Sequence, residues 1–454
     1  MFCDDDMQYN SFDAAEDNIK LASECYSANK YPQAIDALDK AIAADPVNST
    51  NYFNKALTLE SMGNFEQAVE NYQAVIDFGA ADLETFNAIA VNYTRTGFYD
   101  KAIALFSKIQ RTDNMYEQSF CSQVITFIEM REHDKAEQAF YLAQQINPDC
   151  PLCFYNIGNS LYMRGDFKRA EYCWKKTAEL ENDHPQINYR IAQTLWAQGQ
   201  SDEAKKYFLA ELKINPGDIE VILDYALFCL ENNQIDSAKE KFHRILEIDS
   251  NNASALFYLG EIAKHEGKNA RASALYNDAM RKNPDINGPR YRLAEFALEA
   301  KDYTQVKAFL TSELSLHNNN AQQLISIASM FIAIGELDYA TNSLLSAIDI
   351  DDKNSQAYYY LGVVSFLNQR KDDALNFFDQ AIRLCPDHLD SMRDSALVFL
   401  SNFEPELAQE RIKTALKKYP ADKQLKTVEK QVSRMLIKEK ITQTFRTANN
   451  PAAN

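Results

Sequence analysis

The 454-residue chain is sparing with the residues that most catalytic and cofactor signatures need: it has 12 glycines, 12 prolines, 8 cysteines, 6 histidines and 2 tryptophans. Eight cysteines in so long a chain are too few for a disulfide scaffold and fit a reducing compartment. No apolar run approaches the roughly 18 residues of a membrane-spanning helix, the densest pieces being short ones such as 395–400. Basic residues are outnumbered, 47 Lys plus Arg against 65 Asp plus Glu, and the net charge of −18 repels phosphate backbones and anionic lipid at long range. Nucleic acid is therefore disfavoured as a partner. Residues 1–6 offer no basic n-region, and no apolar stretch follows them, so a secretory signal is not supported and a cytoplasmic location is expected. What is present is ordinary for a folded chain, with 46% hydrophobic and 25% charged residues.

At roughly 150 residues per domain this length suggests three domains, but a shorter period overrides that count. Ala34, Ala68, Ala102, Ala136, Ala170, Ala204, Ala238, Ala272, Val306, Ala340, Ala374 and Ala408 follow one another at intervals of 34 residues with no insertion or deletion. With that residue numbered 20, twelve repeats run from Ala15 to Asp422. Eleven of the twelve residues at position 8 are Ala or Gly, and position 24 is always large and apolar, from Leu38 and Tyr72 to Phe378 and Ile412. Helices approach closely where both lack bulk, and a large side chain then fills the space beside the small one.

Glycine and proline punctuate the repeat. Gly63, Gly97, Gly165, Gly199, Gly267 and Gly335 fall at position 15, where a first helix needs a left-handed residue at its C-terminus. Gly158, Gly260 and Gly362 fall at position 8, for size. Pro46, Pro148, Pro216, Pro284, Pro386 and Pro420 fall at position 32, where a missing N–H stops a second helix. Each repeat reads as helix, tight turn, helix, and nothing reads as a strand: the fold class is all-α. Position 7 breaks the apolar pattern at Lys55, Gln123 and Ser395, and position 27 breaks it at Glu211 and Glu313, which predicts looser or wetter layers there.

This pattern resembles the tetratricopeptide repeat over 408 of the 454 residues. The resemblance implies a right-handed α-α superhelix, a solenoid whose first helices line a concave groove. In such proteins peptide ligands contact positions 2, 5, 6, 9, 12 and 13. Here those positions hold Phe53, Asn54, Tyr155, Asn156, Asn159, Tyr162, Tyr189, Arg190, Gln193, Trp196, Phe257, Tyr258, Tyr291, Tyr359 and Tyr360, and these are the candidate partner-binding residues. Aromatic rings give large contact area at low entropic cost, although each could instead pack between neighbouring first helices. The dicarboxylate clamp of chaperone-binding relatives needs Lys at position 5 and is absent; the asparagine ladder of the O-GlcNAc transferase superhelix has only Asn54 and Asn156.

Residues 1–14 carry −4 through Asp4, Asp5, Asp6 and Asp13. Residues 423–454 carry +5, seven basic side chains against Glu429 and Glu439, so the repeats themselves hold −19. Leu425, Val428, Val432, Met435 and Leu436 recur at helical spacing, which reads as a basic amphipathic helix capping the last repeat, with a docking role as the alternative and a frayed tail after it.

Chemistry finds little foothold. With nine of 12 glycines taken by packing and turns, no phosphate-binding loop or dinucleotide fingerprint remains, and the histidines lack zinc-protease spacing. Cys150 and Cys153 form a C-x-x-C at an inter-repeat turn with Cys121 and Cys173 in neighbouring helices; they read as small hydrophobes, and Cys385 with His388 has still less support. The expectation is a scaffold with no catalytic residue, cofactor or metal, which binds a peptide or helix of another protein. The alternatives are an architectural subunit working through its second helices, and an enzyme or cysteine-based metal or redox protein.

Overall fold

Position 15 shows how closely the chain follows its period. The six glycines there have φ between 74° and 80°, and the other six residues, Asn29, Arg131, Asn233, Lys301, Gln369 and Phe403, have φ between 57° and 62°. Every repeat thus turns through the left-handed region at the same place, whether or not glycine makes it easy. The computed structural model describes the backbone of residues 5–80, 82–316 and 320–449, and the side chains of 15–80, 82–316, 320–438 and 440. The side chains of the acidic lead 1–14, His317, Glu439, Arg446 and the tail 447–454 lie outside the described residues.

Among the described residues there are 25 helices and no strand. They run in pairs from Asp5–Ser27 with Tyr31–Ala44 to Leu389–Ser401 with Pro405–Lys418, and Lys423–Asn449 follows. Second helices ending at Ala44, Ile146, Ile214, Lys282, Leu384 and Lys418 stop two residues before the position-32 prolines. Position 34 supplies the next first helix with its N-cap: Asn48, Asp82, Asp218, Asn252, Asn320 and Asn354 each accept a backbone N–H of the first turn.

The helices gather into two compact units, Met1–Gln234 and Ile235–Asn454, with the boundary between the two helices of repeat seven. Inside each unit the same packing recurs, and all twelve position-20 residues are fully buried. A Cβ on Gly158 would lie 2.5 Å from the Trp174 ring, one on Gly260 2.5 Å from Tyr276, and one on Gly362 2.5 Å from Phe378. The small residue at 8 and the ring at 24 of one repeat are therefore in direct contact. At the end of the second unit Leu425, Val428 and Val432 are buried with Ala408, Ile412 and Ala415, which covers an apolar face that the last repeat would otherwise expose.

The polar residues that break the apolar columns have hydrogen-bond or ion-pair partners within the protein, although Glu313 Oε2 is buried without one. Lys55 Nζ pairs with Asp39 at 2.6 Å, Gln123 accepts from Gln110 at 3.0 Å, and Ser395 Oγ donates to the Met392 carbonyl at 3.1 Å. Glu211 and Glu313 belong to the two repeats whose first helices begin late and have only 11 residues, Ile187–Ala197 and Pro289–Glu299. In both, position 2 is left-handed, Gln186 at φ 58° and Gly288 at φ 104°. Glu313 Oε1 accepts the Gly288 N–H at 2.5 Å and the Gln323 Nε2–H at 2.9 Å, and Glu211 accepts from Asn215 at 2.9 Å. The carboxylate of Glu313 thus satisfies backbone that a missing helical turn leaves bare.

Candidate protein-binding face and the cysteine cluster

The first helices place positions 5, 6, 9 and 12 on one face, because residues three and four apart on a helix are neighbours. In the first unit, Phe53 meets the Tyr72 ring edge-on at 5.4 Å, and Asn54 borders an open cavity of about 310 Å³ with Ile19, Tyr26, Leu38 and Leu57. Tyr155 lies against His184 with ring centroids 4.4 Å apart, and its carbonyl accepts the Trp174 indole N–H at 3.1 Å. Tyr162 packs on Phe167 and Trp174. Asn156 is 7% exposed and its Nδ2 has no partner, whereas Asn159 is half-buried.

Repeat six is tied to repeat seven by polar bonds. Tyr189 is 1% exposed, and its hydroxyl donates to Asp224 at 2.8 Å and lies 3.3 Å from Glu220. Burial first, and Asp224 second, push that phenol above its ordinary range. Gln193 Nε2 donates to the same Asp224 oxygen at 2.9 Å and Arg190 Nη1 donates to Gln193 at 3.2 Å, but the Arg190 Nε is buried without a partner. Trp196 donates to Glu231 at 2.5 Å while its ring packs against Phe208 and Phe228.

In the second unit Phe257 packs on Tyr276 and faces Gly288, and Tyr258 stacks on Phe242 at 5.5 Å. Tyr291 lies under the Arg292 guanidinium at 5.5 Å. Tyr359 donates to Asp394 at 3.0 Å, rests on His388 at 5.1 Å and touches Tyr360. The candidate rings are therefore half-buried or buried, several of them against second-helix rings such as Tyr72, Trp174, Phe242 and Tyr276, and the Tyr189 ring is covered while its hydroxyl holds Asp224.

Sequence reasoning missed the acids that these groups bind. Tyr189 with Asp224, Tyr359 with Asp394 and Trp196 with Glu231 all join residues 35 apart, which sets position 5 against position 6, or 12 against 13, of the next repeat. It also missed Arg292, which grips Glu261 through Nε and Nη2 at 2.9 and 2.7 Å and reaches Glu295 at 3.1 Å. A search at an offset of one repeat plus one residue would have found the first set.

A second site lies at the junction of repeats four and five. Glu117 and Cys121 sit four residues apart on the helix Glu117–Glu129; Cys150 is the N-cap of Pro151–Met163 and Cys153 is in its first turn. Their carboxylate oxygen and three sulfurs lie within 4.8 Å of one another. Cys121 and Cys153 are joined as a disulfide, Cys150 Sγ is 3.3 Å from Cys121 Sγ, and it accepts the Cys153 N–H at 3.4 Å. Burial, then Glu117, pushes the Cys150 thiol up to about 12, which does not suit it to act as a nucleophile. Cys173, expected near this turn, is buried in the helix Phe167–Leu180 and takes no part in the cluster.

Family comparison agrees with the repeat geometry. Tetratricopeptide-repeat models match residues 19–82, 155–219 and 355–388, the last of which coincides with repeat eleven. The chain carries tetratricopeptide repeats. The middle TPR-like domain of cilia and flagella-associated protein 70 also matches, over residues 188–324. The TPR repeat-containing protein YpiA of Bacillus subtilis is 20% identical over 321 residues, 70% of this chain and 76% of that protein. The RNA polymerase-associated protein CTR9 of Caenorhabditis elegans is 24% identical over 290 residues, which cover 61% of this chain and about a quarter (24%) of CTR9. The crystal structure of yeast Tom70 is similar at 17% identity and a TM-score of 0.48, covering 90% of this chain and 99% of Tom70. Tetratricopeptide repeats support protein interaction, and the chain is in that general sense an interaction scaffold. Among the described residues no helix is long and apolar enough to cross a membrane.

Proposed function

We propose that this chain is a non-catalytic scaffold that binds an extended peptide or a helix of another protein on the first-helix face of repeats five and six. The observation that carries this reading is the pair Asn156 Nδ2 and Arg190 Nε, both buried, both without a partner, and both at position 6 of consecutive first helices. A buried polar group left unpaired costs about 1–3 kcal/mol, and an unexplained pair at equivalent positions is what a face built for an absent ligand would leave. Both atoms are covered in this conformation, so each side chain would have to turn outward to offer its donor to a carbonyl of a bound strand. Asn87, at position 5 of repeat three, adds an unpartnered buried acceptor, its Oδ1, for a backbone N–H.

The rival reading, assembly through the second helices, needs a continuous apolar stripe. Exposed apolar side chains do occur at position 25, Tyr141 and Leu209 in the first unit and Leu345 in the second. Lys175 interrupts the first two, and Thr311 and Asp379 flank the third; position 30 adds Phe78, Leu180 and Ile214 in the first unit and Ile248 and Ile350 in the second, of which only Leu180 and Ile214 follow one another within a unit, a run shorter than a continuous stripe. The deciding experiment is affinity purification from the native host with wild type and Asn156→Ala/Arg190→Ala side by side, circular dichroism checking the fold. A protein that wild type retains and the variant loses supports the reading, and an unchanged set of bound proteins moves the site elsewhere.

A further inference from the structure

We propose that Glu117, Cys121, Cys150 and Cys153 form a structural zinc site that staples repeat four to repeat five. Two independent short motifs meet here. Glu117 and Cys121, at i and i+4, point from one helical face, and Cys150 and Cys153 wrap the N-terminus of the next first helix, so that four donor atoms lie within 4.8 Å of one another. Three of the four residues are buried and Glu117 is half-buried. Three thiolates and one carboxylate are a donor set for zinc rather than for calcium or magnesium, which take oxygen. With Zn–S near 2.3 Å and Zn–O near 2.1 Å, tetrahedral donors stand about 3.6–3.8 Å apart; Cys150 and Cys121 are already at 3.3 Å, and Glu117 Oε1 is 3.5 Å from Cys153 Sγ.

The disulfide between Cys121 and Cys153 uses two of the four groups and leaves the other two without a purpose. Glu117 Oε1 stands 2.7 Å from Cys121 Sγ, yet a disulfide sulfur has no proton to donate to it. Among the described residues no ion pair joins Glu117 to a cation, and the carboxylate instead faces sulfur. A divalent ion at the centre gives all four groups a ligand bond. Three thiolates, a carboxylate and Zn²⁺ leave a charge of −2, and the site lies against the positive end of the helix Pro151–Met163, whose macrodipole favours that sign. Zinc enters the reduced chain, in which Cys121, Cys150 and Cys153 are all thiols; each loses its proton to solvent as the metal binds, and no electron is transferred in that step. The site is closed to substrate, since all four positions are filled by protein, so its role is to hold the junction.

The test uses the full chain, expressed with zinc supplement and purified with a non-thiol reductant that is then removed without air. Elemental analysis should find one zinc per chain, and all eight thiols should titrate after denaturation with chelator. Cys150→Ser and Glu117→Ala should each lose the metal while keeping their helical circular dichroism, and Cys385→Ser should keep it. Cobalt(II) added to the metal-free wild type should produce a thiolate charge-transfer band, a readout that stands even if Cys150→Ser fails to fold. Zinc-free wild type with eight free thiols overturns the proposal, as does zinc-free wild type with six, which would make the disulfide the resting state. Zinc retained by Cys150→Ser, or no charge-transfer band with cobalt, overturns it equally.

Discussion

Tyr189 donates its hydroxyl proton to Asp224 at 2.8 Å from one first helix to the next, and five repeats further on Tyr359 makes the same bond to Asp394 at 3.0 Å. Because each joins position 5 to position 6 of the following repeat, the bond sets the register between neighbouring helices rather than closing a single hairpin. A hydrogen bond to a charged acceptor is worth about 1.5–3 kcal/mol. Tyr189→Phe, which keeps the ring and removes the donor, should lower stability by that amount in a urea titration, and Tyr359→Phe should do the same in its own unit. A loss below about 0.5 kcal/mol in both would mean that the acids are equally well solvated without the tyrosines.

Gly158 presents the opposite problem, that of an atom too many. An alanine Cβ would stand 2.5 Å from Trp174 Nε1, and that indole is held by its bond to the Tyr155 carbonyl. Overpacking of this kind costs about 1–3 kcal/mol. Gly158→Ala should therefore lower the melting temperature, and adding Trp174→Phe, a smaller ring without the indole N–H, should recover part of the loss. Additive losses in the double variant would show that the glycine is present for some reason other than this contact.

The left-handed turns give a pair of predictions with opposite signs. Arg131 sits at φ 59° with an exposed side chain, and Gly165 holds the same place one repeat later at φ 78°. A non-glycine residue in this region costs about 1–2 kcal/mol, offset in part by the entropy that glycine loses on folding. Arg131→Gly should be neutral to stabilising, by up to about 1 kcal/mol, while Gly165→Ala should destabilise by about 1 kcal/mol. Calorimetry of the two variants checks both signs.

The period was readable in the chain because each marked position answers a local demand. Gly63 and Gly97 turn left-handed, Pro46 and Pro148 stop helices, and Gly158 makes room for Trp174. The same turn at Phe403 or Lys301 leaves no local mark, since the backbone is held there by its neighbours and not by residue type. Of the candidate face, Tyr155 and Tyr189 could be named from the sequence, but not His184 behind one or Asp224 beyond the other. Those contacts exist only once repeats are stacked. The cysteine cluster was visible except for one member: Cys150, Cys153 and Cys121 stood out as cysteines, while Glu117, a carboxylate like many others along the chain, joins them only through the fold, and Cys173 does not.

Glu313 carries the pH prediction. It is fully buried, and burial raises its carboxyl above the ordinary value of 4.5 even though the Gly288 N–H and nearby Arg290 favour the charged form. The native state therefore binds a proton at a pH where the unfolded chain does not, so the contribution of this group to stability rises as pH falls from neutrality through the raised value. It levels off below the unfolded value near 4.5. Glu313→Gln keeps an acceptor for the Gly288 N–H but does not titrate in this range. The melting temperature of wild type minus that of the variant should accordingly increase as pH is lowered from 7 towards 5, roughly the interval above the unfolded carboxyl range. A difference that stays flat would mean that the Glu313 carboxyl titrates alike in both states; a difference that falls would mean that its bond to Gly288 outweighs its burial.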